Sequence, residues 1–191
     1  MKTPWEIKNP SVTQALGRFV DLQFIPPARL QLACARGTKL HDYIFMDLAE
    51  LWVPPALITP EIEGYWNSYL IFKREMIEET IFVEKELICT CFGYIGHLDW
   101  GGILRGEKGL TVIDWKSPVT EGKTWRSQVA AYWHLVEAHM NPPLELPIER
   151  CGALMLSPTG GTPSFREYTE FHADYFNNFL LALGACRAFS G

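Results

Sequence analysis

Two aspartates and a lysine stand close together in this chain, in Gly96-His97-Leu98-Asp99 and Ile113-Asp114-Trp115-Lys116. Paired carboxylates suit a divalent cation, and an ammonium beside them can orient a water or steady negative charge. Hydrolysis of a phosphodiester needs that combination. Further along, Gln128 and Tyr132 lie four residues apart in a segment of helical pattern, so they leave one helix face. An amide and a phenol there offer hydrogen bonds to a phosphate or a base edge without adding charge.

Strand geometry gives these residues a reason to meet. Thr111, Val112 and Ile113 are strand formers, and Gly106-Glu107-Lys108-Gly109 before them is a strong turn signal, so a hairpin is predicted. Asp99 then faces residues 114–116 on the adjacent strand, where directly opposed Cβ atoms lie about 4.5–5.5 Å apart. Both carboxylates reach one metal. The period of two sends Asp114 and Lys116 to one face and Trp115 to the other. Around this hairpin the patterns predict helices over residues 11–20 (with Ser11 as N-cap), 28–51, 61–74, 124–140 and 171–189. Strands are predicted over 80–89, 92–104, 110–116, 151–156 and 165–169. Pro54-Pro55 ends the second helix and Pro142-Pro143 the fourth. The core order is helix, three strands, helix, strand: an α/β fold, with a mixed central sheet flanked by helices and a helical N-terminal region.

Four of these segments together resemble the PD-(D/E)XK nuclease superfamily, and within it the RecB-like exonuclease branch that includes phage exonucleases and the mitochondrial genome maintenance exonuclease. Gly96 to Asp99 is similar to the branch's G-x-x-D element, Asp114-Trp115-Lys116 to its D-x-K element and Gln128 to Tyr132 to its Q-x-x-x-Y element. Gly37-Thr38-Lys39-Leu40-His41 is similar to the upstream G-x-x-x-H element, and residues 11–19, far less specifically, to the start of such exonucleases. The resemblance implies a restriction-endonuclease-like core and DNA hydrolysis, by exonuclease rather than endonuclease action. It implies Mg²⁺ or Mn²⁺ as cofactor, held by Asp99, Asp114, the main-chain carbonyl of Trp115 and His41. Asp99, Asp114 and Lys116 are then catalytic, and Gln128 and Tyr132 bind substrate. Glu84 or Glu86, on the strand before the hairpin, is a further candidate, because acids recur there in the family. An imidazole in an oxygen-rich shell suits Mn²⁺ better than Mg²⁺. Gly37 is expected to permit close approach of backbone or DNA. His97, on the face of Asp99 by the same period of two, stays outside the predicted set.

Each feature also has a plainer reading. A lone Asp-x-Lys is usually a solvated pair, Gln128 and Tyr132 fit the polar edge of an amphipathic helix, and His41 fits a packing role. The competing functions are a structure-specific or restriction-like endonuclease using the same centre and, in a different class, a catalytically silent DNA-binding scaffold. Intact Asp99, Asp114 and Lys116 speak against the scaffold.

At 191 residues and 48% hydrophobic content the chain can bury a core without staples. A single nuclease domain over 1–191 is expected: a mainly helical part over 1–75, the core sheet and motif helix over 76–170, and a C-terminal helix over 171–191. The net charge of -5 gives no overall basic field, so DNA binding has to rest on a local groove. Arg29, Arg36, Lys39, Lys123 and Arg126 flank the motifs and are candidates to line it. The acidic total also suggests reliance on an oligomer or a partner, which by analogy is a single-strand annealing protein. The five cysteines include no C-x-x-C pair, and their odd number with no secretion signal points to a reducing, cytoplasmic setting. Only Cys151 and Cys186 follow the motif helix, so an iron-sulfur cluster of the RecB-like kind is not expected. No run of about 18 apolar residues is present to span a membrane.

Overall fold

The computed structural model describes residues 9–20, 24–117, 120–140 and 145–189; the Pro142-Pro143 pair lies outside them. Helices α1 (Val12–Gly17), α2 (Pro27–Leu48) and α3 (Pro60–Met76) precede strands β1 (Ile77–Cys89), β2 (Tyr94–Leu104) and β3 (Leu110–Lys116). Helix α4 (Trp125–His139), strands β4 (Ile148–Met155) and β5 (Ser164–Glu167), and helix α5 (His172–Ala188) follow. Among the described residues, five strands form one sheet in the order β1-β2-β3-β4-β5. Its pairings are antiparallel except β3 with β4. A parallel step needs a crossover, and α4 supplies it. The fold is mixed α/β.

Element boundaries differ from the sequence expectation for local reasons. Ser11 closes a capping box with Gln14, but α1 ends at Gly17 rather than residue 20. Helix α2 stops at Leu48, ahead of Pro54-Pro55, and Glu50 just beyond it takes a positive φ of 58°. Strand β1 starts at Ile77, directly after α3, and β2 starts at Tyr94 because residues 90–93 form the turn.

The two sheet faces carry separate apolar layers. Val12, Leu16, Val129, Leu135 and Phe179 from α1, α4 and α5 cover Leu98, Val112 and Ala153, while Leu40, Ile44, Tyr69 and Phe72 from α2 and α3 cover Trp100, Ile113, Trp115 and Leu154. Alternation along β3 sorts Val112 from Ile113 and Trp115. Trp115 is fully buried, with Tyr69 and Phe72 edge-on at 6.0 and 5.9 Å and Trp100 at 6.2 Å. Truncating such a side chain costs about 3–5 kcal/mol. That anchor turns its neighbours Asp114 and Lys116 towards α4.

Alternation fails on β2 beside Asp99. Leu98 packs on the α4 side but Trp100 on the α2–α3 side, although two residues apart on one strand should share a face. Across the ladder, between the Val83–Trp100 and Lys85–Leu98 pairs, Glu84 adopts a left-handed φ of 46°. A residue with a Cβ rarely takes that conformation, and such outliers gather where a side chain is re-aimed at a functional site. Glu84 and Asp99 are the residues re-aimed.

Candidate active site

The β2–β3 ladder ends at Trp100–Ile113, and the Asp99 side chain takes over as acceptor: its Oδ2 receives the Trp115 amide at 2.7 Å. Its other oxygen lies 3.4 Å from His41 Nδ1, and His41 Nε2 lies 3.2 Å from the Trp115 carbonyl oxygen. Both ring nitrogens face acceptors, which only the imidazolium satisfies as a double donor. Glu84 Oε1 is 3.9 Å from His41 Nδ1, and donor atoms of His41, Glu84 and Asp99 all fall within 4.8 Å of one another.

The second half of the cluster is built on β3 and α4. Lys116 Nζ lies 2.5 Å from Asp114 Oδ2 and donates to Gln128 Oε1 at 3.1 Å. Gln128 Nε2 donates to Asp114 Oδ1 and to the Tyr132 hydroxyl oxygen, each at 3.0 Å. This network fixes the amide orientation, since its oxygen meets the ammonium and its nitrogen the carboxylate. Gln128 and Tyr132 do share one helix face. Both are buried, and the phenol braces the amide. Lys116 also sits 5.5 Å from the Trp125 ring centre, a contact that no motif spacing signalled.

Charge is unevenly balanced here. Burial works against a charged His41, yet Asp99 at hydrogen-bonding distance, with Asp114 behind it, raises its pKa to about 9. Burial and the Asp99 charge raise Glu84 to about 7. Burial likewise raises Asp114, to about 6; the Asp99 charge adds to this and Lys116 opposes it. Burial would raise Asp99 too, but His41, Lys116 and the Trp115 amide outweigh it and hold that carboxyl below the ordinary range. Asp114 Oδ2 remains buried without a hydrogen-bond donor of proper geometry, despite the nearby ammonium. Three acids crowd round too few positive charges, and a divalent cation would complete the set.

The motif glycines differ in what they do. A Cβ on Gly96 would stand 2.3 Å from Leu135 Cδ1 and 3.3 Å from the Tyr132 ring, so the bare glycine lets α4 seat against β2. A Cβ on Gly37 would meet only Ser117 Oγ, at 3.8 Å, an ordinary contact, so no close backbone approach explains that glycine. Glu86 pairs at 3.4 Å with His97 on the exposed side of the β1–β2 ladder; neither joins the cluster, and the break in alternation has taken His97 off the face of Asp99. Glu84 alone of the two candidate acids reaches it.

No protein-family model matches the chain, and no curated protein gives a significant match. Of the candidate cations, Arg126 is committed to Glu121 at 2.9 Å and to the rings of Tyr168 and Tyr175, and Arg36 lies over the Tyr65 ring. Lys123 joins Leu16, Phe19, Trp125 and Gln128 in lining a cleft between α1 and the start of α4, beside the cluster. Among the described residues no helix is long and apolar enough to cross a membrane.

Proposed function

We propose that this chain is a divalent-metal-dependent deoxyribonuclease of the PD-(D/E)XK type, RecB-like in its motif set, acting as an exonuclease in DNA recombination, repair or phage replication. The observation that carries this reading is the meeting of His41, Glu84 and Asp99, from three elements, at one break in the sheet, with the Asp114–Lys116 pair of β3 close enough for its charges to act on them.

The donors fit a hard divalent cation: carboxylate oxygens of Asp99, Asp114 and Glu84, the Trp115 carbonyl and one imidazole nitrogen suit Mg²⁺ or Mn²⁺. Such an ion supplies a Lewis acid, lowering the pKa of a water and offsetting charge on the phosphate. His41 gives up a proton to serve as a ligand. Lys116, held between Asp114 and Gln128, faces the charge that builds on the phosphoryl oxygens, and a contact strengthening in the transition state raises turnover. Gln128 fixes Lys116 relative to Asp114, and Tyr132 fixes Gln128. Lys123 and the neighbouring cleft offer a path for the strand. Exonuclease over endonuclease action rests on the resemblance at Gly37 to His41 and Gln128 to Tyr132, since both share this chemistry.

The test is incubation of linear, nicked and closed circular DNA, labelled at either end, with Mg²⁺ or Mn²⁺. Release of nucleotides from one end, with the closed circle left intact, is the expected result. Cutting of the circle would make the protein an endonuclease, and DNA binding without cleavage in either metal would make it a scaffold.

A further inference from the structure

A second cluster lies at the other end of the same strand and helix. Cys89 ends β1, Cys91 sits in the β1–β2 turn, and His134 and His139 lie in the C-terminal part of α4. Cys89 Sγ is 3.6 Å from Cys91 Sγ and 3.8 Å from His134 Nε2, and Cys91 Sγ is 3.6 Å from His139 Nε2. All four donor atoms lie within 4.8 Å of one another. Zinc bonds of about 2.3 Å to sulfur and about 2.0–2.1 Å to nitrogen place tetrahedral ligands about 3.4–3.8 Å apart. The three measured separations are tetrahedral edges of that size.

The surroundings are built to hold these donors. The Phe92 amide donates to Cys89 Sγ at 3.4 Å, the kind of support a thiolate ligand needs from its outer shell. Gly93, at a φ of 67°, returns its amide to the Cys89 carbonyl at 2.8 Å, closing the turn that brings Cys91 back beside Cys89. Arg187 of α5 ties down the Phe92 and Gly93 carbonyls, each at 2.5 Å. The His134 ring is stacked on Phe176 at 4.4 Å and meets Phe92 edge-on at 5.5 Å, so its orientation is set by packing. Two thiolates cancel the charge of a divalent ion, and a half-buried site then needs no further counter-ion.

We propose that Cys89, Cys91, His134 and His139 form a Cys₂His₂ site for Zn²⁺ that clamps the β1–β2 turn to the C-terminal part of α4. Thiolate and imidazole ligands in tetrahedral array select zinc over the hard cations suited to the carboxylate cluster. Binding displaces two thiol protons to solvent. The clamp fixes the helix that carries Gln128 and Tyr132, but the site stands on its own donors and does not depend on the nuclease reading.

The test uses the untagged 191-residue chain, isolated without chelator. Elemental analysis should give one zinc per chain, unchanged in Asp99→Asn/Asp114→Asn and absent in Cys91→Ser/His139→Gln. Replacement by Co²⁺ should give thiolate-to-metal charge transfer and the intense visible bands of a tetrahedral ion. Thiol titration of the wild-type protein needs no variant: exposed Cys34 should react at once, with Cys89 and Cys91 reacting only after a strong chelator is added. Zinc-free protein that also gives no charge-transfer band with Co²⁺ would overturn the site. So would prompt reaction of Cys91 in zinc-replete protein, or a Cys89–Cys91 disulfide in place of the metal.

Discussion

The carboxylate cluster and the thiol-imidazole cluster share two elements yet are opposite in chemistry. Strand β1 gives Glu84 to one and Cys89 to the other, and α4 gives Gln128 and Tyr132 to the first and His134 and His139 to the second. The first is crowded with negative charge, lies at a break in strand alternation and has one buried carboxylate oxygen without a donor. The second has sulfur and nitrogen donors at tetrahedral spacing, packed by aromatic rings at the end of a hairpin. An under-satisfied oxygen site is suited to exchanging ligands during chemistry, whereas a closed sulfur-nitrogen site is suited to holding elements in place.

The largest effect that would separate the two is expected from Asp114→Asn. Cleavage should fall by about a thousandfold or more in Mg²⁺ and in Mn²⁺, while zinc content and melting temperature stay near wild type. Wild-type turnover in that variant would remove Asp114 from the proposed centre. Lys116→Ala comes next: single-turnover rates should drop by about a hundredfold, with far less change in DNA affinity measured by anisotropy. A matching loss of affinity at unchanged turnover would make Lys116 an ordinary phosphate contact.

His41→Ala should raise the Mn²⁺ concentration for half-maximal activity by about tenfold, with excess Mn²⁺ recovering part of the rate and zinc unaffected. An unchanged Mn²⁺ requirement would leave His41 a packing residue. The smallest effect concerns pH. Glu84, Asp114 and His41 all have raised folded-state pKa values, to about 7, 6 and 9, so these three groups hold more protons in the folded chain than in the unfolded one and the stability they contribute falls as pH rises. The two acids contribute to this loss from their ordinary range up to about 7, and His41 from about 6.5 to about 9. Measured against a Glu84→Gln/His41→Gln variant with the same zinc content, so that the opposite pH dependence of the thiolate site cancels, protein free of Mg²⁺ and Mn²⁺ should lose several degrees of melting temperature over that span, and added Mn²⁺ should oppose the loss. A melting temperature that climbs with pH relative to that variant would contradict the charge balance drawn for the cluster.

How legible each cluster was in the sequence follows from how its parts are spaced. Asp99, Asp114 and Lys116 are joined by one hairpin, so a turn signal and a period of two bring them together, and Gln128 and Tyr132 follow from the helical repeat. The α/β order was readable for the same reason, since each element carries its own periodicity. His41 and Glu84 reach the cluster through tertiary packing, which no local pattern encodes; only the resemblance pointed to them. The failure of alternation at Glu84 and Leu98–Asp99 is invisible to a rule that assumes regular pleating, which is why His97 was placed on the wrong face. The strands predicted over 80–89 and 92–104 leave Cys91 between them with nothing to say that it folds back beside Cys89, and two histidines more than forty positions away give no sign of belonging with them.

Glu84 carries a consequence for how this chain would drift under selection. Its left-handed backbone costs a residue with a Cβ about 1–2 kcal/mol, and glycine would occupy the same φ of 46° without strain. Selection for heat resistance alone therefore favours loss of the acid. Variants recovered from such a screen should accumulate glycine at this position and lose the carboxylate. A lineage that keeps glutamate there is one in which the carboxylate is in use.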